Sequence, residues 1–190
     1  MSYVKKTQWS IEPDDSFKVI RNCSKCGCKT NYVNTNNFRV NANGNNIDVW
    51  LIYQCEKCKN TWNLEIYKRI KPSKLSQREY RKFLDNDEAL AFKYGTEKEF
   101  FKGNKAIINE ESIKFQAINI DGHTVVEEGQ ILVIRNPYGL KFRLDKVLSE
   151  IMGKSRSDIK DLIERKKIYN PNMVKLAKIY TEQSIELVIG

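Results

Sequence analysis

The chain contains two C-x-x-C pairs, Cys23-Ser24-Lys25-Cys26 and Cys55-Glu56-Lys57-Cys58, with 28 residues between them. In a reducing compartment, two pairs at this spacing are typical of a metal site rather than of disulfides. Each pair forms a tight turn whose two thiolates converge on one ion, and two such knuckles complete a closed tetrahedral shell. The sequence therefore predicts a structural Zn²⁺ held by Cys23, Cys26, Cys55 and Cys58.

The fifth cysteine, Cys28, is surplus to a shell of four thiolates. We expect it to stay outside the shell, and the alternative that it replaces Cys26 stays open. Gly27 suits the turn that closes the first knuckle, because glycine adopts positive φ without strain. Lys59-Asn60 follow the second knuckle, where asparagine tolerates the left-handed region.

The residues between the knuckles have the pattern of a β-hairpin. Phe38-Arg39-Val40-Asn41 precedes an Asn43-Gly44 turn signal, and Ile47-Asp48-Val49-Trp50-Leu51-Ile52-Tyr53 runs directly into the second knuckle. The order of knuckle, hairpin, knuckle and strand is that of a zinc ribbon. We predict such a ribbon over residues 1–67.

The same segment resembles a known family. Its motif comprises Phe38-Arg39-Val40-Asn41-Ala42-Asn43-Gly44, then Asp48-Val49-Trp50-Leu51-Ile52-Tyr53-Gln54-Cys55, then Thr61-Trp62-Asn63. These residues resemble the signature of an uncharacterised bacterial family known only as a domain of unknown function. The resemblance covers most of the chain and implies a small cytoplasmic bacterial protein, with no particular activity.

The charge of the chain favours an anionic partner. It has 33 Lys and Arg against 24 Asp and Glu, a net charge of +9. Residues 1–62 and residues 139–190 each carry a net +4, whereas residues 63–138 carry +1. Basic proteins often bind polyanions, of which nucleic acid is the commonest.

The sequence gives no sign of a membrane partner. Its longest apolar runs, such as Val49-Trp50-Leu51-Ile52-Tyr53, are far shorter than the ~20 residues that a membrane span needs. The N-terminal residues also lack the apolar segment of a signal peptide. We therefore expect a cytoplasmic protein.

Residues 68–138 predict a mixed helical and strand segment. Ser76 and Asp87 have the pattern of residues that begin helices, and Gly95 and Gly103 have that of helix ends. The chain shows no glycine-rich phosphate loop and no nucleophile–base pattern. We therefore expect no enzymatic activity.

Within the C-terminal residues 139–190, residues 142–168 predict a pair of short helices. Leu144, Val147, Leu148 and Ile151 are spaced as one helical face, and Gly153 follows them. Ser155-Arg156-Ser157-Asp158 is a capping-box pattern that begins the next helix.

This C-terminal segment resembles the S4 RNA-binding domain. The matching residues are Arg143-Leu144-Asp145-Lys146-Val147-Leu148, Ser155-Arg156, Leu162-Ile163 and Ile168. The resemblance implies a helix pair followed by a short β-ribbon, with basic helix ends that grip structured RNA. It implies RNA contacts by Arg143, Lys146, Arg156 and Lys160, supported by Lys166 and Lys167. Lys166 stands where the family usually has a glycine, which puts the geometry of the ribbon in question.

Together these patterns predict an α+β protein with three segments: a zinc ribbon (1–67), a mixed helical and strand linker domain (68–138) and an S4-like RNA-binding domain (139–190). The expected function is binding of structured RNA, ribosomal or transfer RNA, with association with the ribosome as one form of it. One alternative is an adaptor whose zinc ribbon docks a protein partner. Another is an RNA-modifying enzyme whose active site the sequence does not reveal.

Overall fold

The structure is a computed structural model that describes residues 5–122, 126–172, 176 and 180–190. Its strands are β1 (Lys6–Pro13), β2 (Val19–Cys23), β3 (Cys28–Asn43), β4 (Asn46–Cys55), β5 (Thr61–Ile70), β6 (Ile107–Ile108), β7 (Phe115–Asn119), β8 (Ile131–Arg135), β9 (Phe142–Arg143), β10 (Ile168–Tyr169), β11 (Tyr180–Thr181) and β12 (Ile185–Ile189). Its helices are α1 (Gln77–Leu84), α2 (Glu88–Thr96), α3 (Lys98–Gly103), α4 (Leu144–Met152) and α5 (Arg156–Glu164), with short 3-10 helices at Pro72–Lys74 and Glu110–Ser112. Within these described residues the strands form three sheets, so the fold is mostly β.

The chain divides into two compact units. One combines Met1–Pro13 with Phe115–Gly190, and the other comprises Asp14–Lys114. This division differs from the predicted segments 1–67, 68–138 and 139–190. The two divisions differ because β1, near the start of the chain, pairs with β7 and β8, which lie beyond residue 114.

The Asp14–Lys114 unit is built on a five-stranded antiparallel sheet in the order β5-β4-β3-β2-β6. β3 and β4 form the predicted hairpin, and Gly44 at its turn has φ of +60°. The register of this hairpin shifts between Asn34 and Phe38, which marks a β-bulge. The hairpin is therefore part of a larger sheet and not a ribbon that stands alone.

Helices α1 and α2 lie against β3. The Ser76 hydroxyl accepts a hydrogen bond from the Glu79 N–H, and the Asp87 carboxylate accepts one from the Leu90 N–H, so both predicted helix starts are confirmed. Phe83 of α1 packs edge-on against Phe38 of β3, with 4.9 Å between the ring centroids. The helices thus bury apolar side chains that a small ribbon would leave exposed.

Gly95 is the second-last residue of α2, directly before Thr96. A Cβ at this position would lie 2.4 Å from the Ser16 Oγ, so the glycine permits a close approach of the two segments. The helix therefore ends one residue beyond the predicted position, and Gly95 serves close packing rather than a left-handed cap. Gly103, by contrast, is the last residue of α3, as predicted.

The other unit contains a mixed five-stranded sheet in the order β10-β12-β8-β1-β7. β1 runs parallel to β8 and antiparallel to β7. Along β12 the side chains of Ile185, Leu187 and Ile189 are buried in alternation with more exposed ones, as expected for a strand with one face against the core. β9 and β11 form a separate two-stranded sheet.

Helices α4 and α5 form as predicted, with Gly153 at φ +61° between them and a complete capping box of Ser155 and Asp158. The strands β10 and β12 beyond them pair with each other, but they do not form a separate β-ribbon, because β12 also pairs with β8 in the five-stranded sheet. The predicted α+β class, with its Cys₄ zinc ribbon, mixed middle and S4-like helix pair with a short β-ribbon, is therefore wrong. Local periodicity indicates where strands lie, but not which distant strands they pair with.

No helix in the described part of the chain is both long enough and apolar enough to cross a lipid bilayer.

Candidate metal centre and basic cluster

Both C-x-x-C pairs lie in tight turns at the same end of the β2–β5 sheet. The first turn joins β2 to β3 and is closed by a hydrogen bond of 2.9 Å from the Gly27 N–H to the Cys23 carbonyl. The second joins β4 to β5 and is closed by a bond of 3.0 Å from the Lys59 N–H to the Cys55 carbonyl. Gly27 and Lys59 both have positive φ, at +67° and +63°. The two knuckles thus share one backbone geometry, and in the second it is Lys59 that takes the left-handed conformation.

The two turns bring four thiol groups together. The Sγ atoms of Cys23, Cys26, Cys55 and Cys58 all lie within 4.8 Å of one another. Across the knuckles, Cys23 Sγ lies 3.4 Å from Cys58 Sγ, and Cys26 Sγ lies 3.9 Å from Cys55 Sγ. A tetrahedral ion with Zn–S bonds of ~2.3 Å has S···S separations of about 3.8 Å. The four cysteines are thus close enough to hold one metal ion, and their spacing is compatible with zinc.

Polar side chains of β3 support this cluster. The Thr30 Oγ1 lies 3.0 Å from the Cys55 Sγ in a buried contact. The Tyr32 hydroxyl lowers the pKa of Cys23 to about 6 through a hydrogen bond. At Cys55, burial opposes ionisation, but hydrogen bonds from Thr30 and from the Cys58 and Lys57 N–H groups outweigh it and lower the pKa. These donors favour the thiolate form, which is the form that binds metal.

The sulfur atoms also constrain one another's ionisation. The hydrogen bond with Cys58, together with burial, raises the pKa of Cys26 to about 12. Four thiolates at these distances repel each other, so some sulfurs retain protons unless a cation lies among them. A divalent ion would replace those protons, which is the chemistry expected of a preformed metal site.

Cys28 stands apart from this group. It is the first residue of β3, it is exposed, and its backbone pairs with that of Cys23. Among the described residues the clustered ligands are Cys23, Cys26, Cys55 and Cys58, so the alternative in which Cys28 replaces Cys26 has no support in this geometry.

Apart from the cysteine cluster, the structure brings two arginines, Arg143 and Arg156, to the carboxylate of Asp145. Asp145, in the first turn of α4, has a fully buried side chain. Arg143 donates to it from Nε and Nη2 at 3.1 and 2.9 Å. Arg156, at the start of α5, donates from the same two atoms at 3.3 and 2.9 Å. Burial raises the pKa of Asp145, but the two guanidinium groups outweigh this and lower it to about 2.

The Asp145 carboxylate therefore fixes two cations with one anion and leaves an excess positive charge at the start of both helices. Both guanidinium groups keep N–H groups that do not face Asp145, since five N–H donors are available on each arginine. The resemblance to the S4 domain implied that both arginines are functional residues. It did not predict Asp145, which reads as an ordinary acidic residue in the first turn of a helix.

The other predicted RNA contacts are dispersed. Lys146 is exposed on α4, with its Nζ 4.8 Å from the centroid of the Phe115 ring. Lys160 lies on α5, and Lys166 follows that helix with φ of +56°. Lys167 forms an exposed ion pair of 3.3 Å with Glu128. Only Arg143 and Arg156 of the predicted set are brought together by a shared partner in the described structure.

A comparison with known protein families identifies the family to which the chain belongs. Residues 40–174 match the family described as "Protein of unknown function (DUF1062)", which is 135 of the 190 residues. The protein belongs to this family. This confirms the resemblance to a family of unknown function and adds no activity to it. No curated protein and no solved structure matches the chain.

Proposed function

We propose that this protein binds structured RNA through the basic cluster formed by Arg143 and Arg156, with Lys146 on α4 and Lys160 on α5 as separate additional phosphate contacts. The observation that carries the proposal is the convergence of both arginines on the buried Asp145. A guanidinium group held in place by one carboxylate loses less conformational entropy when it binds a phosphate. Lys166 and Lys167 add positive charge beyond the end of α5.

We further propose that the four clustered cysteines bind a structural Zn²⁺. A shell of four thiolates has no open position for a substrate, which suits a structural role and not a catalytic one. A non-enzymatic role is part of this proposal. The site needs reduced thiols, so a cytoplasmic location is also part of it.

The RNA proposal is tested by filter binding of a structured RNA at several salt concentrations. Affinity should fall steeply with salt, because each neutralised phosphate releases counterions. Arg156→Ala should weaken binding by roughly 1–2 kcal/mol, the range of one charge-assisted hydrogen bond. It should also reduce the log–log salt slope by about 0.7–0.9 for the contact removed.

Arg165→Ala is the matched control. Arg165 lies just beyond the same helix and pairs with Asp161 on the surface, so its loss removes an equal charge outside the cluster. If Arg165→Ala weakens binding as much as Arg156→Ala does, only net charge matters and the cluster has no special role. If Arg156→Ala and Lys160→Ala together change neither affinity nor slope, the proposal is wrong, and the protein-adaptor alternative becomes the better one.

A further inference from the structure

Tyr180 is an exposed aromatic residue next to the basic cluster. It lies in β11, where its backbone pairs with that of Arg143 in β9. Its side chain is among the largest exposed apolar groups in the described structure, with 57% of the residue accessible. A single exposed tyrosine is ordinary on a protein surface, so exposure alone indicates nothing.

The cations around Tyr180 distinguish it from an ordinary surface tyrosine. The Lys141 Nζ lies over the Tyr180 ring at 5.9 Å from its centroid, and the Arg143 Cζ lies over it at 5.8 Å. Arg143 is held by the buried Asp145, so this guanidinium group has a defined position. An accessible ring is thus combined with two cations, one of them fixed.

This combination matches the chemistry of an unpaired nucleotide. A base stacks on an aromatic face, while its flanking phosphates attract lysine and arginine. A double helix offers its phosphates but keeps its bases stacked inside, so it has no base to place on the ring. The RNA that suits this surface therefore has an unpaired nucleotide in a loop, bulge or end.

We infer that Tyr180 stacks on an unpaired base of the bound RNA, and that Lys141 and Arg143 contact the adjacent phosphates. This inference rests on the proposed RNA-binding function and narrows it to RNA with a single-stranded element. The basic cluster supplies the electrostatic attraction to any RNA, whereas Tyr180 supplies the preference for unpaired nucleotides.

The test compares an RNA hairpin with a blunt RNA duplex of equal length, using the full chain loaded with zinc. Tyr180→Leu should weaken hairpin binding by on the order of tenfold, the effect of losing one stacked base. Tyr180→Phe keeps the ring and should stay within about twofold of the original protein. Binding to the duplex should change in neither variant.

Tyr169→Leu is the matched control, because Tyr169 in β10 is also an exposed tyrosine, at 41%. It should bind both RNAs as the original protein does. Equal losses for hairpin and duplex in Tyr180→Leu would overturn the stacking inference, and so would an unchanged hairpin affinity.

The proposed RNA-binding function and the inference about Tyr180 can be rejected by different results. If the unmodified protein binds neither RNA in a salt-dependent way, the proposed function is wrong and the inference falls with it. If Arg156→Ala weakens binding to both RNAs but Tyr180→Leu weakens neither, the function stands and only the role of Tyr180 is rejected.

Discussion

Cys23 Sγ lies 3.4 Å from Cys58 Sγ, although the two residues are 35 positions apart in the chain. The contact joins the turn after β2 to the turn after β4, and it exists because β3 and β4 are antiparallel neighbours in register at Tyr32 and Cys55. The sheet itself therefore places the two knuckles side by side. A metal ion at this point would link two strand connections, β2–β3 and β4–β5, at one end of the sheet.

The first prediction concerns the metal ligands. The protein purified under reducing conditions should contain one Zn²⁺ per chain, because four thiolates at these separations form one tetrahedral shell. Cys55→Ser should lose the metal and much of the stability, since metal binding contributes folding energy. Elemental analysis together with thermal unfolding measures both effects.

Cys28→Ser is the control for this prediction, because Cys28 is exposed and outside the cluster. It should keep both the zinc and the melting temperature. Zinc lost from Cys28→Ser but kept by Cys26→Ser would change the ligand assignment. If the protein purified under these conditions contains no metal, the predicted zinc site is wrong.

The second prediction concerns Thr30, whose hydroxyl contacts the Cys55 sulfur at 3.0 Å. Thr30→Val keeps the shape and β-branching of the side chain but removes this hydrogen bond. Zinc should still bind at one ion per chain, with an affinity lower by about 10- to 100-fold, as is typical when a supporting partner of a ligand is lost. Competition with a chromogenic chelator measures the affinity, and an unchanged value would show that the Thr30 contact has no part in metal binding.

These contacts mark the limit of what the sequence predicts. Spacing alone predicts Cys23, Cys55 and Cys58 and favours Cys26, because the chemistry of a knuckle is local to four residues, but the exclusion of Cys28 needs the structure. Thr30 carries no local signal, since its proximity to Cys55 arises from the pairing of β3 with β4 and not from any motif.

The C-terminal part shows the same limit at the level of the fold. The caps at Gly153 and Ser155 are local features, and the sequence predicts α4 and α5 correctly from them. One of the two partners of β12 is β8, some fifty residues away, and nothing in the local alternation of β12 identifies it. The S4-like prediction is therefore correct for the two helices and wrong for the pairing of the strands that follow them.

The third prediction concerns the packing of α2. Gly95→Ala places a Cβ 2.4 Å from the Ser16 Oγ and 2.7 Å from the Ser16 Cβ, in a buried contact with little room to relax. Overpacking of this kind costs about 1–3 kcal/mol, which should outweigh the ~1 kcal/mol gain in helix propensity. Urea unfolding should show a net loss of stability. Gly103→Ala is the control, because a Cβ there meets no atom within 4 Å, and it should be neutral or stabilising.

The fourth prediction concerns Asp145 and its dependence on pH. Asp145→Asn removes the carboxylate that holds Arg143 and Arg156, and it should lower the free energy of unfolding by about 1.5–3 kcal/mol, the range for hydrogen bonds to a charged group. The pKa of Asp145 in the folded protein is lowered to about 2 from an ordinary value near 4. A lowered pKa stabilises the fold at every pH above the ordinary value, and this contribution is lost as the pH falls from about 4 to about 2.

The stability difference between the original protein and Asp145→Asn should therefore be constant at neutral pH and shrink as the pH approaches 2. Urea unfolding at a series of pH values measures this difference directly. Asp161→Asn provides the comparison, because Asp161 forms an exposed pair with Arg165 at 2.9 Å and should cost only about 0.3–0.5 kcal/mol. If Asp145→Asn costs no more than Asp161→Asn at neutral pH, Asp145 does not organise the two arginines. The arginine pair would then have no fixed geometry to offer a phosphate, and the structural basis of the proposed RNA contact would be lost.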